Sequence, residues 1–231
     1  MPHSTEQAEP LRYERKFLIT GYSHRDVEQM IKFHPACFSE IYHQRTVNNI
    51  YFDTLGFSYY YDNVEGSQER LKVRIRWYDG LFGMIAQPVL EYKIKKGLLG
   101  KKDSYALRPF TLDEHFDKRQ ILNAINGSDI PQQVKDELLS LKPALLNSYT
   151  RRYFMSADKN FRITIDHQLS YYRISYDSNT FTNKSLDRNA TVLELKYDSA
   201  LEQEAKEIGA LFPFMMTKNS KYLTGLERLF L

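Results

Sequence analysis

Cysteine, long hydrophobic runs and a large net charge are what this sequence lacks. Cys37 is the one cysteine among 231 residues, which excludes an intrachain disulfide and indicates a reducing compartment. No apolar run approaches the roughly 20 residues that span a bilayer. The first ten residues are polar, unlike a signal or transit peptide. We therefore expect a cytoplasmic protein with no transmembrane segment, in which residues 1–10 form a disordered tail.

Aromatic residues are abundant, in contrast to these absences. The chain has 17 Tyr and 14 Phe, and 42% of its residues are hydrophobic. Disordered chains are poor in aromatics, so this composition predicts a packed core. The length suits one domain, which we expect to span residues 11–231. The net charge is only +3, so the positions of the charges carry more information than their sum.

Hydrophobic periodicity predicts an α+β fold. Alternation with a period of two predicts about eight strands, arranged as an antiparallel or mixed sheet with helices at its flanks. Capping and stop signals predict five helices. Those helices begin at Ser23, at the Thr111–Glu114 capping box, at Pro131, near residue 200 and near Ser220. The strands are expected at 13–19, 47–53, 70–77, 90–95, 149–154, 161–166, 169–176 and 191–197.

The polar face of six of these strands is unusually basic. Its anions are Glu14, Glu91, Asp166 and Glu194, so the face carries +6 and the rest of the chain −3. Solvated sheet faces usually mix opposite charges across strands. A cluster of like charge instead favours a polyanion, and arginine and lysine both bind phosphate oxygens. The ten cations are Lys16, Arg70, Lys72, Arg74, Arg76, Lys93, Lys95, Arg151, Arg162 and Lys196.

Phosphate chains fit this pattern better than nucleic acid does. Nucleic-acid interfaces usually combine a basic outer surface with exposed stacking aromatics. Here the aromatics alternate mostly onto the apolar side of the strands, and the charge outside the polar face is negative. We therefore expect no nucleic-acid partner. Lys102, beside the turn at 97–100, either extends the phosphate track or keeps a hairpin soluble.

Three strands carry Glu-x-Lys, at Glu14, Glu91 and Glu194. Carboxylates among so many cations form structural ion pairs or hold a divalent metal. For Glu91 the ion-pair reading is favoured, whereas Glu14 and Glu194 are candidate ligands. Mg²⁺ and Mn²⁺ take few protein carboxylates and complete their coordination with phosphate oxygens and water. The predicted cofactor is therefore Mn²⁺ or Mg²⁺.

Eight short motifs in order resemble the VTC domain, the polyphosphate polymerase of the vacuolar transporter chaperone, within the triphosphate tunnel metalloenzymes. The resemblance spans roughly residues 11–228. It implies an antiparallel barrel closed into a basic tunnel that grips a triphosphate or polyphosphate, with helices packed outside. The motifs are YERKF, YFDT, LKVRIRW, LEYKIK, YTRRYF, FRITID, LELKY and KNSKY.

The resemblance also assigns roles residue by residue. The implied catalytic, phosphate-contacting residues are Lys16, Arg74, Arg76, Lys93, Arg151 and Arg162. The implied metal ligand is Glu194, to which Glu14 is added from its position on the polar face. Tyr149 alternatively is a core tyrosine, and Ser220 alternatively is a helix N-cap. The implied substrate-binding residues are Tyr149, Lys218, Ser220 and Lys221, which we extend to Lys196 and Lys102.

One departure separates this chain from the triphosphatase and adenylate cyclase branch. That branch begins with Glu-x-Glu-x-Lys, whereas Arg12 replaces the first glutamate here. The missing carboxylate favours a polymerase that transfers the ATP γ-phosphate to a growing polyphosphate chain. Two alternatives stay open: a metal-dependent triphosphatase, and a non-catalytic sensor of polyphosphate or nucleotides. ATP and polyphosphate are thus the expected partners, with a separate membrane partner conceivable.

Overall fold

The computed structural model describes residues 12–96, 99–177 and 179–230, which contain eleven strands and six α-helices. The predicted tail at 1–10 and part of the 97–100 turn lie outside the described residues. The helices are α1 (His24–Lys32), α2 (Ser58–Glu65), α3 (Lys118–Asn126), α4 (Gln132–Leu139), α5 (Glu202–Ala210) and α6 (Lys221–Phe230). The strands are β1 (Arg12–Ile19), β2 (Ser39–Asp53), β3 (Glu69–Tyr78), β4 (Gly83–Ile85), β5 (Val89–Lys96), β6 (Leu99–Ala106), β7 (Phe110–Leu112), β8 (Lys142–Met155), β9 (Arg162–Tyr172), β10 (Lys184–Asp187) and β11 (Thr191–Asp198).

The main sheet is antiparallel and runs β1-β11-β9-β8-β2-β3-β5-β6, with β10 paired to β9. It is strongly curved. Lys93 Nζ on β5, next to one edge, lies 3.5 Å from Glu14 Oε1 on β1, the opposite edge. The α+β class and the tunnel-type architecture are confirmed. The expectation of a closed barrel is corrected, because no backbone ladder joins β6 to β1 in the described structure.

The free edge of β1 is covered by residues 216–220, which we call the strap. Met216 forms a β-bridge with Phe17, and the Thr217 amide donates to the Lys16 carbonyl oxygen. Lys72 Nζ on β3 donates to Ser220 Oγ at 3.0 Å. The strap therefore links the β1 edge to a strand on the far side of the curved sheet by side-chain and backbone hydrogen bonds.

Four helices pack on the outer, apolar side of the sheet, where alternating residues of each strand point. One core cluster joins β3 and β5 to α3 and α4, and a second joins β1, β9 and β11 to α1 and α5. Helix α1 begins as predicted: Ser23 and Asp26 form a capping box. Burial of two apolar surfaces on one side leaves the opposite, concave side for polar groups.

Helix α6 departs from the expectation that helices lie outside. Its Tyr222 ring stacks on Tyr51 with centroids 5.2 Å apart, and it packs in a third core cluster with Leu145 and Tyr171. Tyr51, Leu145 and Tyr171 occupy inward positions of β2, β8 and β9. A Cβ on Gly225 would lie 2.6 Å from Tyr171 Cδ1, so glycine is required for this close approach. Helix α6 thus covers one end of the concave face.

Two other helix expectations needed revision. The Thr111–Glu114 capping box is wrong, because residues 110–112 form β7 and α3 begins after Asp117, whose side chain accepts from the Gln120 amide. Helix α2 was not predicted. It follows Asp53, which accepts hydrogen bonds from the amides of Tyr59 and Tyr60. In the described part of the chain, no helix combines the length and apolar character needed to cross a membrane.

Candidate functional site

The concave side of the sheet carries the basic residues whose alternation was predicted. Register places them together: Arg74 lies opposite Glu91, Lys72 opposite Lys93, and Lys16 opposite Glu194. Because alternate strand residues share a face, the inward lysines and arginines of seven strands line one surface. We call it the cationic face: Lys16, Arg70, Lys72, Arg74, Arg76, Lys93, Lys95, Lys102, Arg151, Arg162 and Lys196.

Glu91 holds three of these cations in place. Arg74 Nε donates to Glu91 Oε2 at 2.7 Å, Arg76 Nη1 lies 3.6 Å from the same oxygen, and Lys102 Nζ lies 2.7 Å from Oε1. Burial opposes ionisation of Glu91, but Arg74 and Arg76 outweigh it and lower its pKa to about 2. Glu91 is therefore an ionised structural anchor, as the ion-pair reading expected, and Lys102 faces inward.

Asp166 anchors a second group and was missed as a site residue. Arg151 donates to its two oxygens, at 2.5 Å from Nε and 2.6 Å from Nη2, and Lys221 Nζ lies 2.6 Å away. Asp166 is fully buried. Burial opposes its ionisation, but Arg151 and Lys221 lower its pKa. Lys221, an implied substrate-binding residue, is itself buried in this group. Alternation had placed Asp166 on the polar face, and that was the available signal.

Glu14 and Glu194 converge on one point. Lys16 Nζ lies 3.3 Å from Glu14 Oε1 and 3.4 Å from Glu194 Oε1. Burial opposes ionisation of Glu194, but Lys16 and Lys196 hold its pKa well below the ordinary range. The pair is thus anionic and already brackets a cation. No cluster of three or more His, Cys, Asp or Glu side chains in the described ranges is placed to hold a metal. Two carboxylates fit an ion that phosphate oxygens complete.

Lys72 lies among other cations, and its side chain donates to a hydroxyl group rather than to a carboxylate. It is half-buried, and its Nζ donates to Ser220 Oγ on the strap. Burial and the neighbouring charges of Lys16, Lys93 and Arg74 lower its pKa to about 7. An anion that binds beside this lysine is stabilised, because its negative charge offsets the repulsion among the neighbouring cations. Its alternation predicted a position on the polar face, but no sequence motif assigned Lys72 to the site.

The remaining predicted residues differ in their exposure. Tyr149 is buried, with the Arg151 guanidinium 5.2 Å from its ring centroid, so it is a core residue that contacts the cationic face. Arg162 lies opposite Lys196 in the β9–β11 register, and Lys196 Nζ lies 3.4 Å from Glu194. Lys218 is exposed on the strap. Within the described residues, Asn147 Nδ2 and Thr164 Oγ1 are buried inward polar atoms without a hydrogen-bond partner.

The lowered pKa of Lys72 predicts a pH-dependent affinity for phosphate chains. A polyanion binds protonated Lys72 better, so raising the pH through about 7 should weaken binding, by up to about tenfold per pH unit above it. Lys72→Arg keeps its charge throughout this range. We expect the tripolyphosphate Kd, measured calorimetrically at pH 6 and pH 9, to rise at least about tenfold more in the unmodified protein than in Lys72→Arg. Parallel profiles would contradict this.

Comparison with known proteins agrees with the geometry. A family model described as the VTC domain matches residues 11–230. The chain belongs to the VTC domain family. A search of curated proteins finds no match.

Two solved structures share the fold of this VTC domain. One is the putative adenylyl cyclase HpAC1 from Hippeastrum, described as revealing a dominant triphosphatase activity: TM-score 0.55, 15% identity, covering 94% of this chain and 96% of that one. The other is a putative adenylate cyclase from Vibrio parahaemolyticus: TM-score 0.51, 11% identity, covering 93% and 98%. At these identities the likeness concerns the fold.

Proposed function

We propose that this VTC domain is a polyphosphate polymerase that transfers the γ-phosphoryl group of ATP to the end of a polyphosphate chain. The observation that carries the proposal is the cationic face itself. Its lysines and arginines converge inside a curved sheet, where burial and the neighbouring cations lower the pKa of Lys72. A linear chain of phosphates supplies many negative charges in the extended shape that this surface follows. Family membership supports the same substrate class.

The cationic face performs the transfer by positioning and neutralising charge. A terminal oxygen of the polyphosphate attacks the γ-phosphorus, the bond from that phosphorus to the bridging oxygen breaks, and ADP leaves with the electron pair. The attacking oxygen is already anionic, so little base catalysis is needed. Arg74 and Arg76, oriented by Glu91, and Arg151, oriented by Asp166, hold phosphate oxygens in fixed directions.

Glu194 and Glu14 would hold the Mn²⁺ or Mg²⁺, which supplies additional positive charge to the reacting phosphates. For this role Lys16 must move from between the two carboxylates or share them, and its flexible side chain permits either. Arg12 occupies the β1 position where the triphosphatase branch has a further glutamate. With fewer carboxylates available to activate water, transfer to phosphate is favoured over hydrolysis.

The direct test is incubation of the purified protein with ATP and Mn²⁺. We expect long phosphate polymers on gels and little orthophosphate in a parallel assay. Orthophosphate without polymer would instead establish a triphosphatase, the second candidate, which the dominant triphosphatase activity named for the Hippeastrum neighbour favours. Tight polyphosphate binding without either product would identify a sensor. A parallel incubation with Mg²⁺ in place of Mn²⁺ shows which metal ion supports the reaction.

A further inference from the structure

Three tyrosines and an arginine form a group at the end of the concave face that α6 does not cover. Tyr42 lies opposite Tyr153 in the β2–β8 register, and their rings meet edge-to-face with centroids 5.5 Å apart. The Arg45 guanidinium lies 5.3 Å from the Tyr42 centroid and 5.7 Å from that of Tyr78. We call Tyr42, Arg45, Tyr78 and Tyr153 the tyrosine rim.

Exposure separates the rim from the other inward aromatics. Tyr42 is 49% exposed and Tyr78 43%, whereas Tyr51 and Tyr149 are 5% and 2% exposed. Arg45 is exposed as well. The Tyr42 and Tyr78 side chains are thus partly open to solvent, beside the Arg45 guanidinium that lies over both rings. Open aromatic and guanidinium planes are the surfaces on which nucleobases stack.

The rim is continuous with the cationic face. Arg45 lies opposite Arg151 in register, and the Arg151 guanidinium is 6.0 Å from the Tyr153 centroid. Tyr78 ends the strand whose preceding inward residues are Arg76 and Arg74. A ligand with phosphates on Arg74, Arg76 and Arg151 therefore has its next group at the rim.

We propose that the tyrosine rim is the nucleobase subsite of this protein. The base of a nucleoside triphosphate stacks on Tyr42, Tyr78 and the Arg45 plane while its phosphates lie on the cationic face. The inference rests on the proposed function for the choice of a nucleotide substrate, and adds how the non-phosphate part is held. Stacking accepts any base, because every base has a π-face. The rim therefore binds ATP, GTP and CTP with similar affinity.

Binding measurements test the rim separately from catalysis. We compare Tyr42→Leu, Tyr78→Leu and the double variant with Tyr61→Leu, a control on α2 that removes another exposed tyrosine. The Kd of ATP should rise about tenfold in each rim variant. The Kd of inorganic tripolyphosphate should stay within about twofold, because the phosphate contacts are unchanged. Tyr61→Leu should alter neither ligand.

A spectroscopic signature identifies stacking directly. The adenine H2 and H8 resonances of ATP should shift upfield on binding to the unmodified protein, through the ring currents of the tyrosines, and this shift should shrink in the double variant. Equal loss of ATP and tripolyphosphate affinity, or no upfield shift, would overturn the proposal. If a tyrosine variant fails to fold by circular dichroism, Arg45→Gln replaces it, with the same selective loss of ATP binding expected.

These outcomes remain distinct from failure of the proposed function. ATP binding and ring-current shifts need no turnover. If the rim variants lose affinity for ATP alone and the unmodified protein forms no polymer, the nucleobase subsite is supported and the polymerase function is rejected. If the unmodified protein forms polymer and the rim variants bind ATP as Tyr61→Leu does, the polymerase function is supported and the nucleobase subsite is rejected.

Discussion

Glu194→Gln is expected to abolish polymer formation while phosphate binding persists. Glu194 is buried, ionised and surrounded by Lys16, Lys196 and Arg151. Glutamine keeps its size but removes the charge that would hold the divalent cation. Loss of the transition-state stabilisation from a metal predicts a fall in kcat of at least about 100-fold. The Kd for tripolyphosphate without metal should be unchanged or lower, because one repelling carboxylate is gone.

The matched control for this variant is Glu40→Gln. Glu40 pairs with Arg152 on the outer side of the sheet, with Glu40 Oε2 2.6 Å from Arg152 Nη2, and Arg152 keeps Glu28 as a second partner. Its turnover should match that of the unmodified protein. Normal polymer formation by Glu194→Gln would reject the metal assignment, and loss of tripolyphosphate binding would instead indicate a structural role.

Asp166→Asn is expected to lower the free energy of unfolding by a large amount. Asp166 is fully buried between Arg151 and Lys221, which are themselves buried. Removing its charge leaves two buried cations without their nearest carboxylate, with only the more distant Glu194 to offset them, which costs about 3–5 kcal/mol of the free energy of unfolding. Urea unfolding at pH 7 measures it. The control Asp103→Asn removes one partner of exposed Lys101 and should cost under about 1 kcal/mol.

Acid sensitivity provides a second readout for Asp166. Its pKa is lowered in the folded state because Arg151 and Lys221 outweigh burial. Its contribution is therefore complete above the ordinary aspartate pKa and is lost as the pH falls through the lower, folded-state pKa. The free energy of unfolding should decline more steeply with acid in the unmodified protein than in Asp166→Asn. Equal declines in the two proteins would show that the ionised Asp166 carboxylate does not stabilise the folded state.

Strand periodicity was the most informative part of the sequence. It placed Lys16, Arg74, Arg151 and Glu194 on one polar face, and the sheet register brings them together there. Capping residues were less reliable. Ser23 begins a helix as expected, whereas the box at Thr111 does not, because β7 pairs those residues with β4 instead. A local helix-capping signal does not start a helix where strand pairing satisfies the hydrogen bonds of the same backbone groups.

The sequence by itself determined the fold class, the presence of a basic inward surface, and which residues form most of that surface. These depend on a period of two, which is set by backbone geometry alone. Only the tertiary structure decided that the sheet stays open, that α6 enters the concave face, and that Asp166 and Lys72 contact other residues of the candidate site. Those features depend on sheet curvature and on burial among residues far apart in the chain: Lys72 contacts Ser220, and Asp166 contacts Lys221. No local pattern encodes such distances, because charge compensation is a property of the assembled interior.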